Sequence, residues 1–348
     1  MVNQLLLGLR LYPSLKLEAV LLSEGRLAAE LRKHDISVHL LDEKMNSFPR
    51  LLYRLNKIIS RVSPAVIHSH RYKENILASL ASLRFPHIKL VSTQHGMPES
   101  GQSAATRHRA VRRVDDYFLR KVFDKVITVS QDMRRRYIVE RGYSDSKMVA
   151  IHNGIQMPMR RSVTYGGRPF RFGSCGRFSP VKDYPLIVEV ARQLIGGKRN
   201  IEFVLVGDGP EMDRIRGLVQ KYHLGDAFIL PGYSDDMPAF YRSIDVFVNT
   251  SLHEGIPMSI LEAMAFRLPV VAADVGGIPE IIDDHVDGFL VRSRDARSYA
   301  AICERLYHDE QLRETISDRA EKKIQREFSF GVMASKYHRL YHEICERG

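Results

Sequence analysis

The segment running from Asn249 to Ala265 carries two glutamates, Glu254 and Glu262, around a turn made by Gly255 and Pro257. It opens after a strand-like apolar run and enters a helical pattern at Met258. Pro257 suits the first helical turn, where its missing N–H costs nothing. A helix start offers free backbone N–H groups and a positive dipole end, a ready seat for a diphosphate. Two glutamates eight residues apart say little alone. Their setting at the carboxyl end of a strand says more, because open α/β sheets bind ligands there. A second segment, Gly173 to Tyr184, has the same logic: a strand ends in Gly173 and Gly176, which let backbone and ligand approach closely. Arg177 and Lys182 then place two cations on one loop, as sites that neutralise a diphosphate leaving group do.

The elements that must position these loops alternate along the whole chain. Strand patterns occupy 17–22, 36–41, 65–69, 89–93 and 125–129, with helical patterns at 26–33, 50–62, 75–83, 104–120 and 131–140. After a short polar linker at 160–168 the alternation resumes, with strands at 170–174, 201–206, 228–231, 245–249 and 269–272, and helices from Tyr184, Glu211, Met258 and Asp295. This pattern predicts parallel sheets with crossover helices, arranged as two doubly wound Rossmann-like α/β domains facing across a cleft. The expected boundaries are 1–160 and 161–329, with a final helix at 330–348 returning to the first domain.

Composition bounds the function. The 348 residues fit two α/β domains, and 44% hydrophobic with 27% charged residues is a soluble balance. No window reaches the roughly 18 apolar residues of a membrane span, and the opening residues lack the basic n-region of a signal peptide. Cys175, Cys303 and Cys345 form neither a metal pattern nor a disulfide framework, which points to a reducing cytosol. Residues 1–150 hold 26 Lys and Arg against 14 Asp and Glu, whereas 151–348 hold 26 against 27. The first half therefore carries all of the +11 net charge. Beyond a merely solvated face, that excess suits phosphate-rich partners. With no RRM, zinc-finger or helix-turn-helix signature, an anionic membrane surface is preferred and nucleic acid is not expected. The expected contact is the 104–120 helix, with Arg107, Arg109, Arg112, Arg113, Arg120 and Lys121, followed by Arg134, Arg135 and Arg136. Val111, Val114, Tyr117 and Phe118 form either an apolar stripe for that membrane or part of the domain core.

Three smaller features complete the reading. His68 and His70 end a strand two apart and share a face, but with no third ligand evident they read as lining or structure. Leu230 to Tyr233 forms a turn that either packs a nucleotide base or is plainly structural. Asp235-Asp236 reads as the cap of the helix that follows, not as a metal site.

In order along the chain, these motifs resemble the family 4 glycosyltransferases of the GT-B fold. The resemblance is carried by Pro64 to His70, Ser92 to Gly96, Val126 to Ser130, His152 to Ile155, Arg177 with Lys182, Val206 to Pro210, Glu254 to Glu262, Gly276-Gly277 with Glu280, and Asp287 to Val291. It implies a retaining, metal-independent transfer from a nucleotide-diphosphate sugar, with a UDP-sugar as co-substrate and no other cofactor. The acceptor would be a hydroxyl of a glycan or glycolipid in cell-surface polysaccharide or lipopolysaccharide synthesis, at the cytoplasmic face of a membrane. Arg177 and Lys182 would bind the diphosphate and Glu262 the ribose hydroxyls. Glu254 would contact the donor sugar near its reacting carbon, and His95 would touch the sugar or acceptor from the other domain. Gly209, Tyr233, Gly255, Met258 and Ser259 would complete the donor contacts. One departure stands out: the family pattern begins with a strand and a Gly-Gly-x-Glu loop, whereas Met1 to Leu9 reads as the helix that follows them. The alternative reading is therefore a non-catalytic or truncated sugar-nucleotide-binding protein with a damaged acceptor domain.

Overall fold

The computed structural model describes residues 1–97, 106–158, 167–195 and 200–346, without the side chains of 106–109. Most of the linker read at 160–168 lies outside the described residues, as do the side chains of Arg107 and Arg109. The chain divides into two compact units, Met1–Gly154 with Phe330–Gly348, and Ile155–Ser329.

The first unit runs α1 (Val2–Leu9), β1 (Glu18–Leu21), α2 (Arg26–Lys33), β2 (Ser37–Leu40), α3 (Phe48–Val62), β3 (Val66–Ser69), α4 (Tyr72–Ser82), β4 (Lys89–Gln94), α5 (Thr106–Lys121), β5 (Lys125–Thr128), α6 (Gln131–Val139) and β6 (Met148–Ala150). All of its ladders are parallel, but they form two sheets, β1-β2 and β3-β4-β5-β6. The sequence pattern predicts one sheet here. The difference has a local cause: among the described residues no strand lies between β1 and β3 to join their ladders. Interior strands of parallel sheets are buried on both faces, yet Val20 on β1 is 36% exposed and Val66 and Ile67 on β3 are only half-buried. By contrast, Val91 to Thr93 and Val126 to Thr128, in β4 and β5, are buried. Helix α1 serves both pieces: Leu5 and Leu9 join the core around Val91 and Ile127, and Leu6 packs with Ala19, Leu31 and Ile36.

The second unit runs β7 (Phe170–Cys175), α7 (Tyr184–Ile195), β8 (Ile201–Val206), α8 (Met212–Lys221), β9 (Phe228–Gly232), α9 (Met237–Ser243), β10 (Val246–Asn249), α10 (Met258–Ala265), β11 (Val270–Ala273), β12 (Phe289–Val291), α11 (Ala296–His308) and α12 (Glu310–Glu327). Its six strands form one parallel sheet in the order β12-β11-β10-β7-β8-β9. Every residue of β10 (Val246–Asn249) and β11 (Val270–Ala273) is buried, as expected of interior strands of a parallel sheet between two helical layers. Phe172 stacks on Phe203 at 5.0 Å between ring centres, and Phe203 on Phe228 at 5.9 Å. Each such burial contributes about 1.5–3 kcal/mol. Side chains of Asp236, Asp295 and Asp309 accept from the backbone N–H three residues on and start α9, α11 and α12. The last helix, α13 (Phe330–Glu346), belongs to the first unit and buries Met333, Ala334, Tyr337, Leu340 and Ile344 against the core shared with α1.

Candidate functional site

In the second unit the chain leaves β7 towards β8 and β9 on one side, and β10 to β12 lie on the other. The point where the order reverses falls between β7 and β10, and ligands of open α/β sheets bind beyond the strand ends at such a point. The two loops singled out by residue type are the ones that leave those strands. Backbone bonds join them: Leu252 N donates to the Val181 carbonyl at 2.8 Å, and the Thr250 hydroxyl donates to the carbonyls of Lys182 (3.1 Å) and Asp183 (2.9 Å).

This joint places Lys182 Nζ 2.5 Å from Glu254 Oε1, which also accepts from Ser251 Oγ at 2.7 Å. Asn249 and Ser251 bond each other and fix the turn that presents Glu254. Its far side is closed by Gly276, whose φ of +56° favours glycine and where a Cβ would stand 2.0 Å from the Glu254 carbonyl oxygen. Arg177 is exposed, and the salt bridges among the described residues give it no acidic partner, so its charge is available to an anion. Pro257 takes the N-cap of α10, which starts at Met258 as the pattern predicts. It has no capping side chain, which leaves the N–H groups of Met258 and Ser259 to water or a ligand. Arg177 and Lys182, the latter paired with Glu254, thus lie on the loop that leaves β7, and the loop tied to it carries a buried Gly255 and the start of α10.

Glu262 sits one turn into α10 and accepts from the Tyr241 hydroxyl at 2.7 Å. Tyr241 in turn lies 3.4 Å from Cys175 Sγ at the end of β7. Burial raises the Glu262 pKa, and the tyrosine hydrogen bond opposes that rise. The β8–α8 loop carrying Gly209 is laced to the β7 loop: Gly176 N donates to the Val206 carbonyl (3.0 Å), Phe178 N to Asp208 (2.8 Å) and Glu211 N to Phe178 (2.9 Å). Gly207 has φ +146°, and a Cβ there would meet the Gly176 carbonyl oxygen at 1.9 Å.

Tyr233 stands apart from this set. It is 68% exposed and its hydroxyl donates to Asp235 at 2.9 Å. Asp236 caps α9, as its spacing predicts. His95 lies in the first unit, just past β4, and its Nε2 is 3.2 Å from His70 Nδ1. Desolvation of the ring, then the charges of the chain's N-terminal amine and Arg71, lower its pKa to about 4, although the residue as a whole is exposed. Behind it His68 bonds the Tyr341 hydroxyl at 2.7 Å and Thr93 Oγ1 at 2.8 Å. Burial pushes His68 down to about 3. The structure thus joins Lys182 to Glu254, holds Glu262 and Ser259 through Tyr241, and laces the Gly209 loop to the loop that carries Arg177; Tyr233 and His95 are not among the residues so linked.

Sequence reasoning missed two contributors. Arg294, in the loop after β12, pairs with Asp183 at 2.5 Å and reaches the Thr250 carbonyl at 3.4 Å, which fastens both loops. Tyr241 orients Glu262. Neither lies in a motif, and only the fold brings them near.

Residues 159–323 match the family model described as Glycosyl transferases group 1, and residues 17–157 match the model Glycosyltransferase Family 4. A Salmonella typhimurium protein named as a colanic acid biosynthesis glycosyltransferase is 31% identical over 199 residues, 54% of this chain and about half (49%) of that protein's own length. An Escherichia coli UDP-Gal:alpha-D-GlcNAc-diphosphoundecaprenol alpha-1,3-galactosyltransferase is 26% identical over 307 residues, 83% of this chain and 78% of the relative. Among solved structures, an Anabaena protein (HepE) in complex with UDP superposes with a TM-score of 0.83 at 20% identity, covering 98% of this chain and 96% of its own. That likeness concerns the fold, which is the GT-B fold.

Proposed function

Because the chain belongs to the family 4 glycosyltransferases, we propose that it transfers a sugar from a UDP-sugar, with retention and without a metal, to a hydroxyl of a glycan or glycolipid. The observation that supports the reading is the joint at the β7–β10 switch point, where the loop carrying Arg177 and Lys182 is tied to the loop that starts α10 and Lys182 holds Glu254. Negative charge develops on the departing diphosphate as the bond to the sugar breaks. Fixed positive groups at that position stabilise the transition state more than the ground state, which is what raises turnover. Glu262 would take the ribose hydroxyls as an ionised acceptor, with Gly209 and Gly255 giving close backbone approach. Glu254 would face the transferred sugar, Tyr233 would flank the base, and His95 would serve the acceptor side as a neutral hydrogen-bonding group. Relatives named for lipid-linked and polysaccharide synthesis support a surface-glycan role, and in this reading the work is done at the cytoplasmic side of an anionic membrane. No helix among the described residues is long and apolar enough to cross one.

The test is product stereochemistry. With an α-linked UDP-sugar and a matched glycolipid or glycan acceptor, proton NMR of the product should show an α linkage. A β-linked product would contradict retention.

A further inference from the structure

Of the cations that the sequence suggests for a membrane contact, Arg120 and all three on α6 are committed to acidic partners inside the first unit. Arg120 and Arg141 both pair with Asp116, Arg134 with Asp145, Arg135 with Asp132 and Arg136 with Glu140. A paired cation offers little net charge to a surface.

Helix α3 differs. Between Glu43 and Glu74 the chain has seven Lys and Arg and no acidic residue. Arg50, Arg54, Lys57 and Arg61 follow one another at helical spacing on its exposed side, while Leu51, Leu55 and Ile59 bury the other. Their hydrogen bonds go to no carboxylate: Arg54 bonds Asn46 and the Leu40 carbonyl, and Arg61 bonds His39. Glu18 is engaged by His39 and Lys16, and Glu43 by Lys73. Tyr53 stands exposed beside the stripe with the Lys57 ammonium 4.8 Å over its ring, and Met45 and Phe48 are exposed at the helix start. Between α3 and the end of β2 runs a groove of about 370 Å³, edged by His39, Leu40, Arg54 and Lys57. Cations, exposed aromatics and a cationic groove on one face complement an anionic phospholipid surface, with the groove able to take a headgroup phosphate.

We propose that the exposed face of α3, and not the paired cations of α6, is where this protein docks on an anionic phospholipid bilayer. This rests on the membrane part of the proposed function and is independent of the donor site.

The test is co-sedimentation of the full chain with phosphatidylglycerol vesicles and with pure phosphatidylcholine vesicles, at low and high salt. Three proteins are compared: the parent, an α3 variant (R50Q, R54Q, K57Q, R61Q) and an α6 variant (R134Q, R135Q, R136Q). The thermal shift given by UDP should be the same in all three, which confirms folding and an intact donor site. The parent and the α6 variant should bind phosphatidylglycerol at low salt, and the α3 variant should bind on the order of 10²-fold more weakly. High salt should erase the difference. Binding by the α3 variant equal to the parent's would overturn the assignment to α3. A parent that ignores phosphatidylglycerol would overturn the membrane reading itself while leaving the UDP response standing. Binding to a duplex oligonucleotide in place of vesicles would assign the face to nucleic acid and also overturn the proposal.

Discussion

The two units use the same α/β alternation to different ends. The second closes all six strands into one parallel sheet, and its site loops are cross-tied by backbone bonds and by Arg294. The first splits its strands into a pair and a set of four, exposes Val20 on a strand, and shows bare cations along α3. Sheet continuity lets loops be fixed in detail. Where the sheet is interrupted, the surface is freer to serve a partner. The difference predicts that substitutions in the second unit act on nucleotide chemistry and stability, whereas those in the first act on acceptor or surface contacts.

The largest effect should come from Glu254→Gln. Glutamine can still accept from Lys182 and Ser251, so UDP affinity should hold, while turnover falls on the order of 10²-fold or more as the carboxylate facing the sugar is lost. Steady-state kinetics beside calorimetry with UDP would show this. A loss mainly in UDP affinity would move the role of Glu254 to the nucleotide.

Next in size is a pair of glycine substitutions, one in each unit. Gly207→Ala drives a Cβ into a backbone carbonyl at a left-handed φ and should cost about 2 kcal/mol or more. In thermal unfolding that is a drop of several degrees. Gly96→Ala, beside His95, meets nothing within 4 Å and should stay within about 0.5 kcal/mol. Equal costs at the two sites would remove the contrast in loop packing.

The smallest effect concerns Glu262. Burial raises its pKa, so on acidification it loses charge at a higher pH than a solvated glutamate, and UDP affinity should fall with it. Tyr241→Phe removes the hydrogen bond that favours the ionised form. It should weaken UDP binding about fivefold at neutral pH and move the acid limb to still higher pH. An acid limb that moves down would place the ribose contact elsewhere.

Much of the donor site was legible because its requirements are local. Glycines at unusual φ, a proline before a helix and a cation pair after a strand each leave a mark in the residue string, as at Gly176, Gly207, Pro257 and Lys182. Strand and helix positions were equally readable from periodicity. Arg294 and Tyr241 were invisible, since they reach the site from loops and helices far along the chain. The break between β1 and β3 could not be read from strand patterns, which show each strand but not its ladder partners. Charge counting finds the dense cluster of α5 and α6 but not its pairing: Arg120, Arg134, Arg135 and Arg136 each meet an acidic partner, which no residue count shows.

The central claim is that the β7–β10 joint of the second unit holds a nucleoside diphosphate. Calorimetric titration of UDP into the parent, Arg177→Ala and Lys182→Ala tests it most directly. Each substitution removes a cation from the diphosphate seat, so each should weaken UDP by about tenfold or more while uridine, which lacks phosphates, binds all three alike. UDP binding that is equal across the three proteins would contradict the account.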